Sequence, residues 1–298
     1  MRIASSTVSD NIVRQIQNLG SQQARLQSQV ATGQRITNPE DDPAAVSRVI
    51  NLESERRSIE QFQRNAERAL EVSQASYSGL QQIKKLSDRA TEIGTLGAGA
   101  ISPESLNAYA SEINQLIEQA VQLGNTKFRN DYIYAGTAVD TAPFVATRDA
   151  SGDVTAVAYA GNTTQSQVAL SESSSVAPGT AGATNTGLGD FINHLVSLRD
   201  ALRAGDASAV QSTQTNLLAS EDVLVNALSE HGAVQMRIEV NQTQQKERAD
   251  NLEKLVSAEA DGDLPSAIVK LNQTQVAYQA ALQSASNIMR LSLLDYLK

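Results

Sequence analysis

Both ends of the chain carry the same narrow apolar stripe. Between residues 5 and 32, once Gln23 is counted, the strongest apolar positions follow alternating steps of four and three: Ile12, Ile16, Leu19, Leu26 and Val30. Near the C-terminus, the same spacing links Leu264, Ile268, Leu271, Gln275, Tyr278, Leu282, Ala285 and Met289. Such steps are typical of a coiled-coil seam. Because so narrow a seam buries too little for a lone helix, we predict that the two terminal helices pair with each other.

Charge distinguishes the terminal helices from the segment that follows the first of them. Residues 1–30 hold four charged side chains, whereas residues 41–93 hold seventeen. The outer faces of the terminal helices carry mainly Ser, Gln, Asn and Ala, which pack closely without desolvating ions. We therefore predict an assembly seam that further copies of the chain cover. Weakly amphipathic ends that fray are the alternative.

The acidic segment 38–43, NPEDDP, lies between two predicted helices. Gly33 is suited to close the first helix, and Pro39 cannot continue it. Asp42 is suited to cap the next helix, with Pro43 at its first position. Clustered acids also suit a divalent cation, but the run lacks the alternating acids and the glycine of a calcium-binding loop. We predict an interdomain joint at these four residues and no metal site.

Helical periodicity predicts four more helices between the terminal pair. They are expected from Asp42 to about Ile93, from Ser102 to Val121 or beyond, at 190–203, and from near Asp206 to about Ala258. Ser102 with Pro103, and Asp263 with Pro265, form typical helix starts. Their apolar stripes, which should line a bundle core, include Val46, Val49, Ile59, Phe62, Ala66, Ala69, Tyr77, Leu80, Ile83, Ile113, Leu116, Ile117, Ala120, Leu217, Leu224, Leu228, Ile238 and Leu252.

Residues 140–188 have a different composition, rich in Thr, Ala, Gly, Ser and Val. The run PFVATRDASGDVTAVAYAG predicts a hairpin that turns around residues 150–152, and SQVALSESSS predicts another short strand. VAPGTAGATNTG is typical of a flexible return. We therefore expect a small inserted β element that lies outside the bundle and adds little to its core.

Composition excludes several classes of partner. The formal net charge is −9 and the aromatic content is 4% with no Trp, a balance that favours elongated helical packing through small residues. The charge opposes nucleic acid and anionic lipid, and no apolar run approaches the roughly 20 residues of a membrane span. The first ten residues lack the pattern of a secretory signal. We expect no nucleic-acid partner, no membrane insertion and no cleaved signal peptide.

Candidate catalytic residues are few. The chain has no Cys and two histidines, His194 and His231, and it lacks the common nucleophile, zinc-protease and phosphate-loop motifs. His231 lies on the stripe of Leu224 and Ile238, which favours a packed core histidine over a base or ligand. We predict that the protein is not an enzyme, with no catalytic, cofactor-binding or metal-binding residues.

Three segments resemble one family. ATGQRITNPEDDPAA at 31–45, GNTKFRNDYIYAGTAVDTAPF at 124–144 and LSLLDYLK at 291–298 are similar to segments of the bacterial flagellins and their hook-filament junction relatives. Pro43 and the residues after LSLL favour the junction branch over flagellin proper. The resemblance spans both ends and about two thirds of the chain, and 145–215 adds nothing specific to it.

The resemblance implies a mainly α, flagellin-like bundle with five regions. These are an N-terminal coiled-coil helix and linker (1–41), the two bundle halves (42–139 and 189–262), a variable β-rich insertion (140–188) and a C-terminal coiled-coil helix (263–298).

It also implies a structural subunit of the extracellular flagellum that is exported unfolded and joins the hook-associated region to the filament. The implied partners are copies of itself in a ring, the first hook-associated protein, flagellin, an export chaperone and the flagellar export apparatus. A short flagellin and a cytosolic coiled-coil adaptor are the alternatives.

Overall fold

The computed structural model describes residues 2–99 and 102–296, with side chains for 10–99 and 102–287. Helices account for 73% of the structure, so the expected mainly α class is confirmed. The helices are α1 (Arg2–Thr32), α2 (Pro43–Ala98), α3 (Pro103–Gly124), α4 (Gly182–Ala204), α5 (Ala207–Ala260) and α6 (Leu264–Tyr296). The strands are β1 (Lys127–Phe128), β2 (Asp131–Tyr132), β3 (Phe144–Arg148), β4 (Val154–Tyr159), β5 (Val168–Ala169) and β6 (Ser175–Val176). They form three antiparallel pairs, β1–β2, β3–β4 and β5–β6.

The chain divides into two compact units. The terminal unit contains residues 1–58 and 248–298, and the central unit contains residues 59–247. The terminal unit thus holds α1, α6, the start of α2 and the end of α5. The five-region division inferred from the sequence follows different boundaries and stays a prediction.

Local capping explains where three of the long helices begin. The Asp42 carboxylate accepts a hydrogen bond from the backbone N–H of Ala45 at 3.0 Å, and Ser102 Oγ accepts one from Ser105 at 3.2 Å. Asp206 accepts from the N–H groups of the first turn of α5. Each cap satisfies a backbone donor that has no partner within its helix. The predicted starts of α2, α3 and α5 are confirmed.

The core of the central unit lies between the helices α2, α3, α4 and α5. Its fully buried members include Leu80, Ile113, Ile117, Leu195 and Leu217. The expected stripes of α2, α3 and α5 supply much of this core. However, α4 starts at Gly182, eight residues before the predicted helix, and the segment read as a flexible return forms its first turns. The helix forms there because burial of Leu188 and Phe191 outweighs the weak helix propensity of a Gly- and Thr-rich sequence.

The inserted β element also packs on this core, so the expectation that it adds little to the bundle is wrong. The β3–β4 hairpin matches its predicted position, but Phe144, Val154 and Val157 are buried among the bundle helices. The β5–β6 hairpin buries Leu170 and Val176 against a second apolar cluster with Ala66, Ala69 and Ile238.

A close approach between the backbone of Gly124 and the ring of Phe144 explains how the β3–β4 hairpin docks on the bundle. A Cβ atom at Gly124 would lie 2.6 Å from Cδ2 of Phe144, so a larger residue there would collide with the ring. The Asn125 side chain pairs with the backbone of Phe144, donating to its O at 2.8 Å and accepting from its N–H at 3.0 Å. The hairpin is therefore fixed to the end of α3 by packing and by hydrogen bonds.

Candidate assembly surface

The terminal helices pair in antiparallel orientation. α1 packs along α6. A Cβ atom at Gly20 would lie 3.6 Å from Cε2 of Tyr278, and the C-terminal part of α1 around Leu26 meets the first turns of α6 around Ala267. The paired terminal coiled-coil helices expected from the sequence are thus present.

On α1, the predicted seam faces α6. The side chains of Ile12, Ile16, Leu19, Leu26 and Val30 are all half-buried, whereas most of their neighbours are exposed. The four-three spacing therefore identified the inner face of this helix correctly. Whether this face serves in assembly stays a prediction.

On α6, the structure separates the predicted seam into two sets. Leu271 and Tyr278 are half-buried and Ala285 is buried, together with the small residues Ala267, Thr274 and Ala281 of the same face. Leu264, Ile268 and Leu282 are 41%, 45% and 45% exposed. The predicted Met289 lies outside the residues whose side chains are described.

Helix geometry explains this separation. At about 100° per residue, the three exposed side chains lie to one side of the line that the inner face follows. The two helices pack together over small Ala and Thr side chains. A search for apolar positions in the sequence gives these residues less weight than Leu and Ile. The larger side chains are therefore left on the flank.

The outer surface of α6 is almost uncharged and carries several exposed apolar side chains among Asn, Gln and Ser. Lys270 is the one charged side chain between residues 264 and 287. Val269 and Val276 are 55% and 66% exposed, in addition to the flank of Leu264, Ile268 and Leu282. Leu264, Ile268 and Leu282 lie on one side of α6, and Val269 and Val276 lie on another. Exposed apolar side chains that share one side of a helix are typical of a surface that a partner covers.

The predicted joint is an ordered loop whose acidic groups bind backbone donors. Asp41 Oδ2 accepts hydrogen bonds from the N–H and Oγ1 of Thr37, both at 3.1 Å, and from the N–H of Asn38 at 2.9 Å. The Asn38 N–H bond holds the pKa of Asp41 below its usual value. The bond from the Ala45 N–H, helped by Arg35, lowers the pKa of Asp42 in the same way. The capping role of Asp42 is confirmed, whereas sequence reasoning missed the loop closure by Asp41.

The joint is tied to the turn between α5 and α6. The backbone N–H of Arg35 donates to the carbonyl of Ala260 at 2.7 Å, and that of Gly262 donates to the carbonyl of Gly33 at 2.9 Å. Gly33 has a φ of 75°, which a glycine adopts without strain. Sequence reasoning did not find this tie, because its partners are more than 220 residues apart.

Charged side chains reinforce the same region. Arg48 donates to both carboxylate oxygens of Glu259 at 3.0 and 2.9 Å, and this pair lowers the pKa of Glu259. Arg248 and Glu55 form a second pair between α5 and α2, at 2.6 Å. The joint thus links α1 and α2 to α5 and α6 within the terminal unit.

The two histidines lie in the central unit. His231 is 4% exposed, its Nδ1 shares a hydrogen bond of 3.1 Å with Ser73 Oγ, and burial lowers its pKa to about 4. The interpretation as a core histidine is confirmed. His194 Nδ1 pairs with Ser220 Oγ at 3.0 Å. Among the side chains described for 10–99 and 102–287, no three His, Asp or Glu come together as a metal cluster, and no helix within 2–99 and 102–296 has the length and hydropathy of a membrane span.

The helical framework of the N-terminal half is similar to that of a known protein family. Residues 3–139, which include α1, the joint, α2 and α3, match the family model of the bacterial flagellin N-terminal helical region. Over these residues, the chain is similar to flagellins. The resemblance inferred from the three sequence segments is thereby confirmed.

Two curated relatives of this chain carry the same description. It is 29% identical over 146 residues to "Flagellar hook-associated protein 3" of Salmonella typhimurium and 30% identical over 146 residues to the protein so named in Escherichia coli. Each alignment covers 48% of this chain and 46% of the relative, so the match spans about half the length of the curated relatives.

A solved structure shares the fold. The structure of a putative flagellar hook-associated protein from Vibrio parahaemolyticus superposes with a TM-score of 0.66, covering 74% of this chain and all of that chain at 17% identity. At this identity the likeness concerns the fold alone.

Proposed function

We propose that the flagellin-like chain is a structural subunit of the bacterial flagellum that joins the hook-associated region to the flagellin filament. The curated relatives named flagellar hook-associated protein 3 support the flagellar role. The match over 3–139 supports a subunit built like flagellin. In this proposal the chain forms a ring of copies and has no catalytic step.

The observation that carries the proposal is the surface of the α1–α6 pair. The two-helix pair, whose described side chains are mostly half-buried or exposed, presents Leu264, Ile268 and Leu282 to solvent. Burying such apolar side chains in an assembly contributes about 25 cal/mol per Å² of apolar area. With one charge between residues 264 and 287, packing of this helix against other copies costs little ion desolvation. The pair is therefore suited to the interior of a polymer.

The proposed partners follow from the position of the subunit. They are the first hook-associated protein on one side, flagellin on the other, and neighbouring copies in the ring. The chain leaves the cell unfolded through the flagellar export apparatus, with an export chaperone holding it beforehand, and acts outside the cell. A marginal terminal pair supports this route because little free energy opposes its unfolding.

A deletion strain tests the junction role. We expect electron micrographs to show hooks without filaments, and flagellin to appear in the medium. A short flagellin, the nearest rival, predicts that the hook-associated structures remain complete while filament subunits are missing. A cytosolic coiled-coil adaptor predicts that a tagged copy stays in the cytoplasm of flagellated cells. Either of these results would overturn the proposal.

A further inference from the structure

A cleft in the central unit lies between α2 and two short hairpins. Its volume is about 480 Å³, within the range of sites that hold a small ligand or a short peptide segment. Asn65, Arg68 and Val72 of α2 line one side, and the β1–β2 hairpin adds Phe128 and Tyr132. The assembly proposed above does not use this cleft.

One wall of the cleft is an open strand edge. It is formed by residues 165–169, of which Val168 and Ala169 form β5 and pair with β6 alone. The preceding residues, Gln165, Ser166 and Gln167, make no hydrogen bond through their backbone groups with the described parts of the chain. Free N–H and C=O groups next to a short strand form a template for pairing with another extended chain.

Two charged side chains of the cleft also have no partner. Arg68, which is exposed, and Asp131, which is half-buried, form no ion pair or side-chain hydrogen bond with any residue described. Their neighbours differ, because Arg129 pairs with Glu71 at 2.6 Å and Asn65 donates to the carbonyl of Ala169 at 3.0 Å. A half-buried carboxylate and a guanidinium without partners favour a ligand that brings the opposite charges.

We propose that this cleft binds an extended polypeptide segment of a protein partner by strand addition to residues 165–167, whose backbone groups are free, next to β5. The bound segment carries an acidic side chain that pairs with Arg68 and a basic side chain that pairs with Asp131. Alternate side chains of an extended chain point to the same face, so two charged positions an even number of residues apart can both face Arg68 and Asp131, and the positions next to them point to the opposite face.

The test uses a defined set of probes with the full-length chain. They are fluorescein-labelled octapeptides of alternating Thr and Val, in which one Asp and one Lys stand two or four positions apart. A matched set has alternate backbone amides N-methylated, which removes strand pairing and keeps the side chains. We expect a saturable rise in fluorescence anisotropy for at least one spacing and no saturable rise for its N-methylated form.

Variants locate the binding site. Arg68→Gln should weaken binding of the active peptide roughly fivefold, as expected for an exposed ion pair. Lys85→Gln is the matched control, because Lys85 is an exposed cation of α2 outside the cleft. Arg68→Glu should regain affinity for the peptide in which Lys replaces Asp. The proposal is overturned if no peptide of the set binds, if the N-methylated form binds equally well, or if Lys85→Gln weakens binding as much as Arg68→Gln.

Discussion

The terminal and central units both consist mainly of long helices, yet they differ sharply in what those helices bury. Among the described side chains of the terminal unit, the buried apolar ones are Ala45, Leu252 and Ala285. The central unit buries large side chains from four helices and two hairpins, including Phe144 and Leu195. Two helices that pair alone leave most of each helix surface in solvent, whereas a bundle with docked hairpins closes a core on several sides.

We infer from this difference that the two units have separate roles in the proposed assembly. Because the central unit buries the larger apolar core, we expect it to resist unfolding more than the terminal pair. The terminal pair opens at lower free energy, because a half-buried seam contributes less than a closed core. A helix pair with exposed apolar side chains is suited to bury them against neighbouring subunits.

The largest expected effect concerns the hairpin that docks on the central core. Phe144→Ala removes a ring that is 2% exposed and packed on Gly124, and should lower the free energy of unfolding by about 3–5 kcal/mol. Urea denaturation of the full chain measures the loss. Val145→Ala is the control, because Val145 is 50% exposed and its truncation should cost less than about 0.5 kcal/mol. Equal small losses for both variants would mean that the hairpin is not part of the core.

The central unit should also lose stability in mild acid through His231. Its folded pKa of about 4 lies below the ordinary value of 6.5. The folded chain therefore binds fewer protons in this window, and its stability falls as the pH decreases from about 6.5 to about 4. The shift corresponds to about 3 kcal/mol.

Replacement of the histidine isolates this contribution. His231→Gln keeps a polar group near Ser73 and should remove about 3 kcal/mol of the difference in unfolding free energy between pH 7 and pH 4. An unchanged pH dependence in His231→Gln would contradict the buried, neutral state of this residue.

A smaller effect is expected within the terminal pair. Leu271→Ala shortens a half-buried side chain of the α6 inner face and should cost about 1–2 kcal/mol. Limited proteolysis of the monomer should trim both ends and leave roughly residues 42–258, and the variant should be trimmed several-fold faster. If the ends and the centre of a verified monomer resisted the protease equally, the lower stability of the terminal unit would be contradicted.

The smallest effect concerns the joint. Asp42→Ala removes the cap of α2 and should lower the melting temperature by about 2 °C at pH 7. Because the pKa of folded Asp42 lies below 3.8, this contribution is present above about pH 4 and is lost as the pH falls further. Calorimetry with and without a chelator measures it. A stability that depends on the chelator would restore a metal site at the joint.

Features that depend on residues close together in the sequence were predictable. The structure differs from the predictions where contacts between distant residues determine the conformation. Capping by Asp42, Ser102 and Asp206 is local, so the helix starts were predictable. The earlier start of α4 and the burial of Val157 depend on tertiary packing, which overrides weak local propensity. On α6, the inner face follows small residues such as Ala281, and no apolarity pattern ranks these above Leu282. The cleft beside β5 depends on three separate segments and has no signature in the sequence.

The central claim is that the exposed flank of α6 is covered by other subunits, and Leu282→Asp tests it most directly. Leu282 is 45% exposed, so the charge should leave the monomer folded, with unchanged circular dichroism and melting temperature. Val145→Asp places the same charge at an exposed apolar position of the hairpin and is the control. In a deletion strain complemented with each variant, swim-plate motility and secreted protein are scored together. We expect Leu282→Asp to be secreted but to hold no filament, and Val145→Asp to restore motility. A motile Leu282→Asp strain with normal filaments would contradict the claim.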